Sequence, residues 1–464
     1  GNSYDVAYDI AVDSFGNVYV TGWSDGGGPS LDYTTLKYYP NGDTAWVRRY
    51  VGPANSANFA YAIGVDRSGN VCVTGGSMGN GTSFDYATIK YYPNGDIAWV
   101  RRYNGLGNNL DEATAIAIDG SGNVCVTGYS YCNETNDDYV TIKYYANGDT
   151  AWVRRYNGTE NYSDWPYAIA VDSSNNVYVT GASHGSGTSM DYTTIKYYPN
   201  GDTAWVRKYN GTGNSYDVAY DIAVDFSGNV YVTGYSVAGG PASDYTTIKY
   251  YPNGDTAWMR RYNGLGNYGD EASAIALDGF GNVYVTGKSW NGINYDCTTI
   301  KYYPNGDTAW VRSYDGTGNS GDYVHAIAVD GSGNVYVTGY SMGSWTNFDY
   351  VTIKYVQTPV EVKDETGNRE KPSEFTLSQN YPNPFNQSTK IEFTLSHSGL
   401  VSLNIYDLLG RGIRTLVLEN LTPGYKSVVW DGKDDKGNEV ASGIYFYQLK
   451  VKDFSEAKKL VLLK

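Results

Sequence analysis

The chain has 464 residues, 41% of them hydrophobic and 18% charged, with 56 Gly and 14 Pro; it is too long for one ordinary core and too apolar for disorder, so two or more folded units are expected. A net charge of −15, from 34 Lys and Arg against 49 Asp and Glu, repels phosphate backbones and anionic lipid headgroups and speaks against nucleic acid as a partner. Forty-nine Tyr and 11 Trp beside 4 Met favour pleated strands over helices, which points to an all-β protein. No membrane span is expected, because no window holds about 18 consecutive apolar residues. The turn-like text at Gly1 reads as a fragment or processed end, so a signal peptide and a closing strand upstream of it stay open.

The first 356 residues are a repeat. GNVYVTG or a near copy ends at Gly22, Gly75, Gly128, Gly181, Gly234, Gly287 and Gly339, with five spacings of 53 and a last of 52. Each unit predicts four strands in the same order, as from Tyr8 to Asp13, Asn17 to Gly22, Asp32 onward (DYTTLKYY) and Thr44 to Tyr50. An Asp-x-x-Gly-Asn turn joins the first pair (Asp13, Gly16, Asn17; Asn175 replaces Gly in the fourth unit), and Asn41-Gly42-Asp43 joins the last pair. Both are hairpin chemistry, with Asx side chains taking turn amides. The turn Asp residues are read as structural, since a calcium loop would need later carboxylates and a terminal Glu.

The fourth strand carries Trp46, Trp99, Trp152, Trp205, Trp258 and Trp310, each followed two residues later by Arg, from Arg48 to Arg312. The Trp residues are expected to pack sheet on sheet, and the Arg residues to keep an exposed edge from accepting another strand. The seventh unit lacks this strand: either it lies upstream of residue 1, or Val360 to Lys363 substitutes for it. Antiparallel four-stranded units repeated in this way predict a β-propeller. In the in-register AIAVD, GNVYVTG and DYTTIKYY pieces the chain resembles the seven-bladed SBBP repeat family, and more loosely NHL-type blades. The resemblance implies a closed seven-bladed ring with the AIAVD strand innermost, where small residues such as Ala115, Ala117, Ala168 and Ala170 fit the crowded axis.

The tight turns barely vary, whereas the residue after GNVYVTG is Trp23, Gly76, Tyr129, Ala182, Tyr235, Lys288 and Tyr340 in turn. Trp165, Trp290 and Trp345 map to the same rim. Because variable loops on a rigid scaffold carry binding, the ligand site is placed at Trp23, Tyr129, Trp165, Tyr235, Trp290 and Trp345. Flat rings among Asn, Ser and Gly suit a neutral glycan better than a peptide; the competing reading has these rings merely covering loop ends. Cys72, Cys125 and Cys297 stand where sister units carry Tyr, and with Cys132 they show no metal or redox spacing. His184, His325 and His397 fit no catalytic motif. Asp9 and Asp221 replace Ala in the inner strands, and two carboxylates in non-adjacent units are too few for a cation site. The reading therefore assigns no catalytic residue, metal or cofactor, and favours a binding module. A propeller enzyme (lyase, hydrolase or dehydrogenase) and a purely structural adhesion or surface-layer component are the alternatives.

Residues 357–373 read as a charged, Pro-containing linker, and residues 374–464 as a small Ig-like β-sandwich with alternating runs such as Val401, Leu403 and Ile405. Asn380-Tyr381-Pro382-Asn383-Pro384-Phe385, Tyr406-Asp407 with Leu409-Gly410-Arg411, Trp430-Asp431-Gly432, Gly443-Ile444-Tyr445 and the ending Lys458-Lys459-Leu460-Val461-Leu462-Leu463-Lys464 resemble the C-terminal sorting domain of type IX secretion cargo, itself similar to FlgD-type Ig-like modules. Gln387, where that family commonly has Pro, is a small departure. The resemblance implies recognition by the type IX machinery through Pro382, Asn383, Pro384, Gly443, Tyr445, Lys458, Lys459 and Lys464. It also implies a secreted or outer-membrane-surface location, often with removal of the domain.

Overall fold

Short alternating runs separated by Asx-Gly turns fold locally into meanders. In the first repeat, Asp5–Val12, Val18–Asp25, Leu31–Tyr38 and Thr44–Tyr50 pair antiparallel in chain order. The computed structural model describes every residue except 1–4, 26–29, 238–241, 266–267, 280, 317, 319, 332, 344–347, 357–362, 365–371, 373, 387, 436–437, 453 and 464. Among the described residues the same meander recurs in seven sheets, hereafter sheets 1–7, over 5–50, 58–103, 111–156, 165–209, 217–262, 271–314 and 322–355. Sheets 1–6 have four strands and sheet 7 has three. No described residue is helical, and no helix is long and apolar enough to cross a membrane. The chain divides into two compact units, the first holding Gly1–Leu277, Gly281–Ala328 and Tyr336–Ile353, the second Asp278–Phe280, Val329–Val335 and Lys354–Lys464.

The turn Asp residues bond their own turns, and Asp66 and Asp119 also pair with Lys90 and Lys143. Asp13 accepts the amides of Phe15 and Asn17, the Asn17 side chain and the Tyr19 hydroxyl; these bonds draw its carboxyl below the usual range despite desolvation. The glycine closing each GNVYVTG has a different cause. The register between first and second strands slips opposite it, as between Ala7 and Asp9 in sheet 1, and a Cβ on Gly128 would stand 2.0 Å from the Glu112 carbonyl oxygen. Only a residue without a side chain allows that approach.

Sheets stack through a repeated interlock. The buried third-strand Tyr33 donates to Ala87 O at 3.1 Å, and Tyr86, Tyr192 and Tyr245 do likewise to Val140, Thr246 and Thr298 at 3.0, 2.9 and 3.0 Å. Trp46, Trp99, Trp152, Trp205 and Trp258 are buried, each donating Nε1 to a carbonyl in the next sheet's turn, as Trp46 to Pro93 O at 3.1 Å. The Arg after each Trp does more than guard an edge. Arg48 lies 5.6 Å over the Trp46 ring and donates Nε to Gly95 O at 2.6 Å, so its charge caps the neighbouring turn.

The faces at the two ends of this stack are open. Ile10 is 61% exposed, whereas its counterparts Ile63, Ile222 and Ile275 are 6–7% exposed. Tyr350 is 99% exposed, whereas Tyr33, Tyr86, Tyr139, Tyr192 and Tyr245 are at 0%. Among the described residues, no contact covers these two faces as ring closure would. Of the proposed substitute strand Val360 to Lys363, Lys363 pairs instead with Ser427 in the strand Gly424–Trp430, and 360–362 lie outside the described residues.

The second unit holds two four-stranded sheets. One orders Lys363–Asp364, Gly424–Trp430, Thr389–Leu395 and Thr376–Leu377; the other orders Gly412–Leu421, Gly399–Tyr406, Gly443–Val451 and Phe454–Leu462. Their inward residues form one core that includes Ile391, Phe393, Leu403, Trp430, Tyr447 and Leu460, as expected for an Ig-like sandwich.

Candidate functional site

In sheets 1–6 the rim residue after GNVYVTG lies directly across from the first or second residue of the first strand, and the two vary together. The pairs are Trp23 with Val6, Gly76 with Phe59, Tyr129 with Glu112, Ala182 with Trp165, Tyr235 with Val218 and Lys288 with Glu271. A bulky member stands opposite a small one, or two polar members bond. The Tyr129 hydroxyl donates to Glu112 Oε2 at 2.5 Å, and Lys288 Nζ meets Glu271 at 3.0 Å. Burial raises the Glu112 carboxyl above its ordinary range, the Tyr129 bond pulling the other way.

The expected site residues fall into separate groups. Trp23 meets Phe59 edge-on at 6.0 Å, and Phe59 in turn contacts Phe84 and Tyr61. Trp165 is 37% exposed and donates Nε1 to Asp137 at 3.3 Å. Tyr235 lies 5.8 Å from Tyr220, which lies 5.3 Å from Tyr167. Trp290 joins the longest string, Tyr268–Trp290–Tyr295–Tyr323–Tyr340–Phe348, with successive ring centres 4.7–6.2 Å apart. Trp345 lies outside the described residues. Sequence reasoning missed Phe59, Tyr268, Tyr295 and Tyr323; the covariation of the cross-strand pairs was the signal that would have found Phe59.

Beneath the rings runs a polar latch. Arg102 binds Asp85 at 2.8 Å, Arg155 binds Asp138 at 2.5 Å and Arg261 binds Asp244 at 2.9 Å. The Asp that opens the next sheet accepts a glycine amide: Asp111 from Gly105, Asp164 from Gly158, Asp217 from Gly211 and Asp270 from Gly264, at 2.6–2.7 Å. In the inner strands, Asp9 and Asp221 each bridge to the neighbouring sheet. Asp221 accepts the amides of Ile222 and Ile275 at 2.8 and 2.9 Å, and Asp9 those of Ile10 and Ile63. Burial pushes Asp221 up to about 6 against those two donors. All four cysteines are free, with Cys72, Cys125 and Cys297 buried.

In the second unit two of the quoted motifs, Asn380 to Phe385 and Gly443 to Tyr445, meet the last strand. Asn383 Oδ1 accepts the Val461 amide at 2.9 Å, its Nδ2 donates to Lys459 O at 3.3 Å, and Phe385 exchanges backbone bonds with Val461 and Leu463. Pro382 O accepts from Asn380 and Thr389. Gly443 and Tyr445 pair with Leu462 and Leu460. Lys459 is exposed, Lys458 pairs with Glu456 at 2.9 Å, and Lys464 lies outside the described residues.

A family model described as beta-propeller repeat (SBBP) matches residues 1–29, 151–187, 204–239, 258–294 and 314–348, and one described as FlgD Ig-like domain matches residues 379–455. No curated protein matches. Among solved structures, PorZ of Porphyromonas gingivalis, described as an essential surface component of the type-IX secretion system, is 15% identical with a TM-score of 0.43. The alignment covers 98% of this chain, which spans 59% of that one. Sqt1 of Chaetomium thermophilum is 10% identical with a TM-score of 0.46, over 74% of this chain and 83% of that one. A protein from Dyadobacter fermentans is 9% identical with a TM-score of 0.41, over 75% and 94%. The chain is thus an all-β protein that carries beta-propeller repeats followed by a FlgD Ig-like domain.

Proposed function

We propose that this is an exported surface protein whose repeats bind a neutral glycan and whose last domain is read by type IX secretion machinery. The observation that carries the address is convergence: Asn383, Phe385, Gly443 and Tyr445, far apart in sequence, all hold the strand Phe454–Leu462 and leave Lys459 exposed on it. A binding role for the rim is favoured over catalysis because its ionisable groups are engaged with one another, Glu112 with Tyr129 and Glu271 with Lys288. Half-exposed rings beside such polar pairs suit stacking on sugar C–H faces.

The test has two arms. Removing residues 458–464 would take Leu460 and Leu462 from the core, so the address is probed instead by Lys458→Glu with Lys459→Glu in the full chain. The variant should fold and stay in the cell envelope; normal surface display would overturn the sorting reading. For the rim, tryptophan fluorescence is followed during a neutral-glycan screen, then repeated with Trp23→Ala, Trp290→Ala and Trp345→Ala. A glycan response lost in these variants supports the site. Binding that survives all three, or no response from the unsubstituted chain, moves the reading to a protein partner or a structural role.

A further inference from the structure

The cation of the rim latch is missing from one seam. Sheets 1–5 place Arg49, Arg102, Arg155, Lys208 and Arg261 on the fourth strand, matched to third-strand Asp32, Asp85, Asp138, Asp191 and Asp244. Sheet 6 keeps the carboxylate as Asp296 but has Ser313 in place of the cation. Two residues further on, where sheets 2–5 carry Asn104, Asn157, Asn210 and Asn263, stands Asp315. One positive charge is lost and one negative charge is gained in the same few ångströms.

The side chains left behind face one another. One oxygen from each of Asp296, Asp315 and Asp322 lies within 4.8 Å of the other two, and none of the three has an ion-pair partner among the described residues. Ser313 does not replace the lost donor, since its Oγ bonds Thr298 Oγ1 at 2.9 Å. Asp296 keeps a single neutral donor, Asn291 Nδ2 at 2.7 Å. Asp322 is fully buried; its Oδ2 accepts the Gly316 amide at 2.7 Å, and its Oδ1 is buried with no hydrogen-bond partner. The matching oxygens of Asp164, Asp217 and Asp270 accept the amides of His184, Val237 and Trp290, whereas the corresponding Met342 amide bonds Gly321 O. Asp111, Asp138 and Asp191 also keep an unpartnered oxygen, but the first two feel the Arg155 cation and the third that of Lys208. Burial, followed by the Asp315 and Asp322 charges, pushes Asp296 up to about 6 in spite of the Asn291 bond.

We propose that Asp296, Asp315 and Asp322 bind a calcium ion at the seam between sheets 6 and 7, in the place that arginine or lysine fills at the other seams. Three hard oxygen donors without imidazole or thiolate select calcium or magnesium over transition metals. Calcium–oxygen distances of about 2.3–2.6 Å span oxygens up to about 5 Å apart, which matches the observed spread. Exposed Asp315 gives the ion a way in, and water completes the coordination.

Calorimetric titration of the full chain with CaCl2, and with MgCl2 in parallel, tests this in the unsubstituted protein, Asp315→Asn and Ser313→Arg. One calcium site with Kd of about 10⁻⁴–10⁻³ M, the range of extracellular modules, is expected, with weaker magnesium binding. Asp315→Asn, which installs the residue of sheets 2–5, should weaken calcium binding roughly tenfold or more through the lost ligand charge. Ser313→Arg should abolish it and remove the calcium dependence of the melting temperature. No heat from the unsubstituted chain up to about 10 mM calcium, well above that range, would overturn the proposal, as would calcium binding unchanged in Asp315→Asn. Should Ser313→Arg fail to fold, the Asp315→Asn comparison decides alone.

Discussion

Gly128→Ala is the sharpest probe of how each repeat is built. The added Cβ would sit 2.0 Å from Glu112 O and 2.6 Å from Ala113 Cα, where ordinary contact needs somewhat more than about 3 Å, so the first and second strands must separate by about 1 Å. That displacement falls where the register already shifts, between Thr127 and Gly128, and it pulls on a strand whose Ala113 is fully buried against sheet 2. Close-packed surroundings cannot absorb such a shift, which places the cost near the upper end for overpacking, about 3 kcal/mol. Because each sheet contacts mainly its neighbours, the loss should be local. Hydrogen exchange should therefore show faster opening of sheet 3 and the adjoining parts of sheets 2 and 4, with sheet 6 unchanged. Gly120→Ala is the control, since its Cβ would meet nothing closer than 3.7 Å; its effect should stay within about 0.5 kcal/mol. A Gly128→Ala chain with exchange rates like those of the control would refute the close-approach argument.

Arg155→Met should cost about 3–5 kcal/mol in urea unfolding, because it strands an Asp138 side chain that is 1% exposed; adding Asp138→Asn should recover much of the loss, and additive effects would show that the pair does not act as a unit. Asp221 titrates near 6 when folded against about 4 unfolded, so the native state holds the extra proton. Its favourable contribution is present below about pH 4 and is lost as pH rises through 6. Asp221→Ala should therefore gain on the unsubstituted chain between pH 4 and 7, by on the order of 2–3 kcal/mol, and a pH-independent difference between the two would contradict this.

Local chemistry was legible where one residue type has one use. Asn-Gly-Asp could only be a turn, and a recurring Trp on a Thr-Ala-Trp strand had to be buried; both follow from short-range physics. The rim was harder to read. Taken singly, Trp23, Gly76 and Ala182 look like freely varying loop residues, but each answers the residue 17 positions earlier, so the variation is partly packing. From the sequence Arg48 looks like an edge guard, because nothing in it reveals that the next sheet's turn carbonyls lie beside the guanidinium. The cluster of Asp296, Asp315 and Asp322 comes from three different elements, and its only trace in the sequence is a missing Arg and an Asn turned Asp in an otherwise regular repeat. Ring closure depends on how small rotations accumulate between sheets, which no single residue encodes.

The strand Asp5–Val12 and the strand Asp217–Val224 have the same eight residues, DVAYDIAV, yet Ile222 is 7% exposed and Ile10 is 61% exposed. The repeat therefore carries no information about its own rank in the array: any copy can stand first, in the middle or last, and only its neighbours decide what it buries. Unequal recombination within such a gene would add or remove a whole sheet while keeping the recurring Tyr and Trp interlock between neighbours. Length becomes a variable that evolution can tune separately from fold, while individuality, as in the altered seam at Ser313, accrues one sheet at a time.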